Sequence, residues 1–147
     1  MREEGTETEA LGTVYGAVLD RIDFEKNDYN PLQLVYGWKE MEEIDGRATC
    51  WVGPKARFVL MRKSRDQDKV TIEGNLIFKN AFKKAQSILL LNEDRRLGEH
   101  VLTEEGAFSV SFDVPAQWGD QRALEFTLLC RDVAGDSGIV IASIHFE

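Results

Sequence analysis

The sequence predicts an all-β protein: an antiparallel, jelly-roll-like β-sandwich of about nine strands with a short N-terminal helix. Three observations carry that expectation. Short apolar runs recur from Leu34 to the C-terminus at intervals of roughly 8–12 residues, with turn chemistry between them. Several of these runs alternate: Phe108, Val110, Phe112 and Val114 interleave with Ala107, Ser109, Ser111 and Asp113. A period of two gives a strand one apolar and one wet face. The spacing suits a sandwich or barrel rather than the βαβ units of a parallel sheet.

Taken in order, residues 1–10 are acidic and rich in Gly and Thr, the composition of a disordered tail. Leu11, Val14, Tyr15, Val18, Leu19 and Ile22 then fall at helical spacing and predict a short helix. Gly12 and Gly16 weaken it by about 1 kcal/mol each. A helix of this length does not stand alone in water. It packs on the sandwich or is the tail of a preceding domain. Asn27-Asp28-Tyr29-Asn30-Pro31 breaks regular structure, so residues 11–31 read as helix and linker and 32–147 as the sandwich domain.

The strand series starts with Leu34–Trp38. A charged link from Glu40 ends in the turn signal Asp45-Gly46. Arg47–Val52 follows, stopped by Gly53-Pro54, and then a strand in which Ala56, Phe58 and Leu60 alternate with Arg57, Val59 and Met61. Arg62–Asp68 reads as a polar loop, and Val70–Gly74 as the next strand. Phe78–Ala85 has the spacing of a short helix or crossover turn. Gln86–Leu91, Arg95–Thr103, Ala107–Val114, Ala123–Arg131 and Gly138–Phe146 complete the set. Each strand supplies a few large inward side chains, worth about 1.5–3 kcal/mol apiece when buried. The basic residues of 62–69 and 79–84 are expected to guard sheet edges.

Composition narrows the function. A chain of 147 residues holds one domain with a real core. Its 26 acidic and 18 basic residues leave a net charge of -8, which argues against a nucleic-acid or anionic-membrane surface. No apolar run approaches the ~18 residues of a membrane span, and the N-terminus lacks a signal peptide's basic-then-apolar order. The cytoplasm is the expected location. Cys50 and Cys130 sit in apolar runs and read as buried free thiols rather than a disulfide framework.

Enzymatic templates fail. There is no Gly-x-Ser-x-Gly elbow, no P-loop and no dinucleotide-binding glycine loop. His100 and His145 have no partner at zinc-ligand spacing, and the turn aspartates lack EF-hand spacing. The reading is therefore no catalytic residue, no metal and no cofactor. Acid pairs such as Glu42/Glu43 point apart along a strand and read as solvated. Aromatic rings remain. Trp38, Trp51 and Trp118 have faces suited to the C–H face of a pyranose, although Trp38 and Trp51 read first as core or sheet-edge packing, and Trp118 reads equally as a ring folded back over the sandwich end. Trp118, in the loop Pro115–Asp120, is best placed for an exposed platform. Asp120, and Asp136 in a Gly/Asp turn, are the polar candidates for the same role.

A resemblance adds to this. Gly37-Trp38 followed by Glu42, then Trp51, Ala56-x-Phe58-x-Leu60 and Val70-x-Ile72-x-Gly74, resemble the opening of an accessory domain found beside bacterial glycosyltransferases. Ile88-x-Leu90-Leu91-Asn92 before Leu97-Gly98, Phe108 with Pro115, and the Gly138 to Ile144 strand continue the likeness, over about residues 35–146. The chain departs from that pattern twice. Cys50 stands where the family has Arg before its second Trp, and Asp136-Ser137-Gly138 replaces an Asp-x-Arg-x-Leu-Gly run. The resemblance implies a jelly-roll module attached to an enzyme of surface-polysaccharide synthesis. With the aromatic residues it predicts a non-catalytic, carbohydrate-binding module whose partner is a glycan or a glycosyltransferase domain. The alternative is a structural module that docks on its parent enzyme or pairs with a second copy as a homodimer.

Overall fold

The computed structural model describes residues 18–64, 66–77, 85–115, 122–131 and 138–147. Among them are nine strands: β1 (Arg21–Asp23), β2 (Leu34–Ile44), β3 (Arg47–Arg62), β4 (Lys69–Leu76), β5 (Gln86–Asn92), β6 (Arg95–Leu102), β7 (Gly106–Asp113), β8 (Arg122–Arg131) and β9 (Ile139–Phe146). Their pairings are antiparallel. The order is β6-β5-β8-β3-β9-β4-β7, with β1 added on β9 and β2 on β3. This is an all-β, nearly closed sheet of the jelly-roll kind. No described helix is long and apolar enough to cross a membrane.

β3 creates the two layers. Its first half pairs with β9 through Cys50 and Trp51, and its second half, Lys55–Arg62, pairs with β8. Gly53-Pro54 lies between those ladders. The sequence reading ended a strand there, because proline cannot donate to a ladder. The strand instead runs on, since at a change of partner no ladder bond is required of it.

The count of about nine strands holds with a different membership. Two expected strands merge into β3, and β1 is added. The expected helix over 11–22 does not form in its described part: Arg21–Asp23 is a strand paired with Ser143–His145 of β9. Ile22 and Phe24 are buried in the core, and Arg21 is half-buried. An open β9 edge offers ladder bonds that a marginal helix cannot match. Residues 11–17 of that expectation, like 78–84 of the expected crossover, lie outside the described residues. The charged link from Glu40 is also corrected, because β2 continues to Ile44. Its turn signal is right: Asp45 and Gly46 both have positive φ, 54° and 81°, as a two-residue hairpin needs.

The core lies between the layers. Phe58 and Phe126 stack at 5.4 Å within one layer, and Phe126 meets Phe146 of the other edge-on at 6.2 Å. Val70, Ile72, Leu90, Leu128, Ile141 and Ile144 fill in around them, with at most a trace of exposure. On the far side, β6 and β7 nearly close the sheet. A ring nitrogen of His100, Nε2, sits 2.8 Å from the Ser111 carbonyl oxygen, and the ring packs edge-on against Phe112.

Arg62 corrects another expectation. Read as the start of a solvated loop, it ends β3 fully buried. Its Nε donates to the Ser64 carbonyl, its Nη1 to that of Pro115, and its guanidinium lies 5.9 Å from the Phe146 ring centre. Edge protection falls on β2 as well, through Lys39, Glu40, Glu42 and Glu43 and three register shifts.

Candidate functional site

The site is built where β2 and β3 cross between the layers. Register shifts occur in β2 between Leu34 and Tyr36, Tyr36 and Trp38, and Trp38 and Met41. A regular strand would place residues 34, 36 and 38 on one face. Here Leu34 and Trp38 pair with the core residues Phe58 and Val52, while Tyr36 pairs with the outward-facing Arg57. Gly37 permits the reversal. Its φ is 87°, and a Cβ on it would lie 2.1 Å from the Lys55 carbonyl oxygen.

Trp38 is consequently a half-buried packing residue. Its ring lies 5.8 Å from that of Phe24 and 6.2 Å from that of Phe58, and Nε1 donates to the Arg57 carbonyl at 2.9 Å. Trp51 faces the other way. Half-buried on the outside of the β3–β9–β4–β7 layer, it donates from Nε1 to Glu42 Oε1 at 2.7 Å. The two tryptophans are not brought together. Trp118, Asp120 and Asp136 lie outside the described residues.

Around Trp51 the outward face is polar and recessed. Trp51, Val140 and Asn75 form one row across three strands, and Ser143 with Glu73 and His145 with Thr71 form the next two. Thr49, Thr71, Asn75, Val140 and Ser143 point outward and yet are buried. Longer neighbours stand over them: Glu42, which is exposed, and Trp51, Arg47, Glu73 and His145, which are half-buried. Arg47 donates from Nη2 to Asn75 Oδ1 at 2.7 Å and to the Gly74 carbonyl. Thr49 Oγ1 donates to the Glu42 carbonyl, and Ser143 Oγ lies 3.5 Å from Glu73 Oε1. A flat indole with its edge pinned, beside carboxylate, amide and hydroxyl groups, can stack on a sugar ring and bond its hydroxyls.

At one end Asp23 is buried, accepting from the Lys26 N–H and standing 3.8 Å from His145 Nε2. Burial alone would raise the carboxyl of nearby Asp20. Hydrogen bonds from Gln67 and Arg21 and the charge of Lys63 outweigh that and hold it below the usual range. Cys50 and Cys130 are free and buried, as the sequence implies. Burial pushes their thiols up, Cys50 to about 11 and Cys130 to about 12. Position 50 faces the core, which is why a small apolar thiol suits it. Among the described residues no group of three or more His, Cys, Asp or Glu side chains gathers as a metal site requires.

Sequence reasoning missed three members of this face. Glu42 was read as solvated, although its place in the Gly-Trp…Glu…Trp pattern was a usable signal. Arg47 and Asn75 meet only through the β3–β9–β4 register, so no local signal marks them.

No protein-family model and no curated protein sequence matches the chain. Solved structures do. The carbohydrate-binding module TmCBM27, described for specific mannan recognition, superposes with a TM-score of 0.54 at 10% identity, covering 87% of this chain and 95% of that one. The structural neighbours are carbohydrate-binding modules. A second is CBM36 in complex with calcium and xylotriose, with a TM-score of 0.50, 9% identity, and coverage of 86% of this chain and 98% of that one. At such identity the likeness is one of fold.

Proposed function

We propose that the chain is a non-catalytic carbohydrate-binding module that works with a bacterial glycosyltransferase of surface-polysaccharide synthesis in the cytoplasm. The observation that carries this reading is Trp51, held edge-on by Glu42 above a recessed polar floor. Shared architecture with carbohydrate-binding modules supports it. The glycosyltransferase partner rests on the sequence resemblance alone. Trp118, Asp120 and Asp136 belong to the same reading on sequence grounds, as an end-loop platform, and Trp38 as the ring that fixes the β2–β3 crossing behind the site.

A second reading has an observation of its own. Among the described residues β2 pairs only with β3, and on it Val35 is 45% and Met41 49% exposed. An edge of this kind suits docking on a parent enzyme or pairing with a second copy.

One experiment separates them: a glycan-array screen of the folded protein, with light scattering after size exclusion on the same sample. A reproducible glycan hit from a monomer supports the binding module. A clean dimer that binds no glycan overturns it in favour of the docking module.

A further inference from the structure

A second surface stands apart from the Trp51 face, on the outside of the layer formed by β2, β3, β8, β5 and β6. One cross-strand row runs over all five strands: Tyr36, Arg57, Thr127, Leu91 and Arg96. Thr127 points outward but is only 4% exposed, so its longer neighbours overlay it and the middle of the row is recessed. Tyr36 at one end is 40% exposed.

Arg57 is unusual among these side chains. Its guanidinium lies 5.3 Å from the Tyr36 ring centre. Its Nε is buried with no hydrogen-bond acceptor among the described residues. Glu125 Oε1 stands 3.9 Å from Nη1, which is too far for a hydrogen bond. By contrast, Arg96 at the other end is engaged by Glu99 at 3.0 Å. The buried Nε is out of a ligand's reach, but the side chain is 36% exposed, and its Nη groups can offer an anionic group with two oxygens paired, charge-assisted bonds. The planar cation and the tyrosine ring also make an amphipathic platform of the sort that stacks on a sugar.

We propose that this face is a separate binding site for an anionic sugar, its carboxylate or phosphate held by Arg57 and its ring beside Tyr36. The site does not depend on the Trp51 face. It takes a class of glycan that the acidic balance of the whole chain disfavours elsewhere, because Arg57 is held by Glu125 only through a long ion pair of 3.9 Å that an anionic ligand can displace. Glu125 is then a competitor for the guanidinium rather than a ligand-binding group.

Calorimetric titration tests this with an oligogalacturonate, its methyl ester, glucose 1-phosphate and inorganic phosphate. At least one sugar acid should bind, the oligogalacturonate at least ten-fold tighter than its ester if carboxylate is the source. Preference for glucose 1-phosphate assigns phosphate instead. Arg57→Gln should lower that affinity at least ten-fold and Tyr36→Ala several-fold, with melting temperatures unchanged. Glu125→Gln should raise it two-fold or more, which keeps the test valid if Arg57→Gln does not fold. Trp51→Ala should leave it unchanged, so loss of the Trp51 site is distinguishable. Binding of inorganic phosphate as tight as the sugar acid, equal binding of acid and ester without sugar-phosphate binding, no binding of any probe, or an Arg57→Gln variant of full affinity would overturn the proposal.

Discussion

The side-chain amide of Gln33 donates to the backbone carbonyl of Val59 at 2.9 Å, joining the approach to β2 with the middle of β3. The same Nε2 reaches the carbonyls of Leu19 and Arg21, and Oε1 accepts from the Asn30 N–H. Gln33 is fully buried. Two N–H groups are thus shared among three carbonyls, of which that of Leu19 also accepts from the Met61 N–H at 2.9 Å, and the side chain ties the segment before β2 to the sandwich. Gln33→Leu takes the side-chain donor from the Arg21 and Val59 carbonyls and the acceptor from the Asn30 N–H, each costing about 1–3 kcal/mol. We expect a net loss of about 3 kcal/mol, or roughly 6–12 °C in melting temperature for a domain of this size. Differential scanning calorimetry measures it. A shift below 2 °C would mean that water serves those carbonyls equally well.

Glu42 fixes the indole of Trp51, so the two residues should separate by variant. Trp51→Ala is expected to weaken glycan binding at least ten-fold, about 1.4 kcal/mol, while the melting temperature stays within a few degrees. Glu42→Gln keeps an acceptor for Nε1 and should retain most affinity. Glu42→Ala frees the ring and should fall between the two. Titration with the array's best ligand reads all three.

Gly37 sets which face Tyr36 and Trp38 occupy. With φ at 87° and a Cβ that would meet the Lys55 carbonyl at 2.1 Å, Gly37→Ala forces β2 away from β3. A loss of about 2–4 kcal/mol is expected, in the range of strained-backbone and clash mutations. Urea unfolding of the variant, followed by tryptophan fluorescence, gives the value. Gly46→Ala is the control. It also has positive φ, but its Cβ would meet nothing within 4 Å, so its cost is that of backbone strain alone.

The two thiols make stability fall at alkaline pH. Each folded-state value is raised, to about 11 for Cys50 and about 12 for Cys130, from an ordinary value of 9.0. A raised value means that the folded state holds the proton longer. Stability is therefore fully present below pH 9 and is lost as pH climbs toward 11–12, by about 1.4 kcal/mol per pH unit per thiol. Chemical denaturation at pH 8, 9.5 and 10.5 should show the decline, and Cys130→Ala should flatten it. In native protein at pH 8 both thiols should react slowly with a disulfide reagent and become fully reactive on unfolding.

Much of the fold was legible in the chain because strand alternation is a local property. Val110 and Phe112 are buried and Ser109 and Ser111 exposed, as their parity requires. Asp45-Gly46 makes its hairpin because only such residues accept positive φ at successive positions. The buried thiols follow from their apolar neighbours.

Other features needed long-range pairing. The stripe from Leu11 to Ile22 has helical spacing, yet Arg21–Asp23 is drawn into the open edge of β9, which lies more than a hundred residues away. Arg62 looks like loop and is buried, because Pro115 and Phe146 reach it from far along the chain and the Ser64 carbonyl turns back onto it. The faces of Tyr36, Trp38 and Trp51 were not readable at all. Residue parity fixes sidedness only within an unbroken ladder, and β2 shifts register three times. The sequence by itself determined that this chain makes a sandwich of short alternating strands. Only the tertiary structure decided which aromatic rings face water, because bulges and the passage of β3 between layers depend on partners far along the chain.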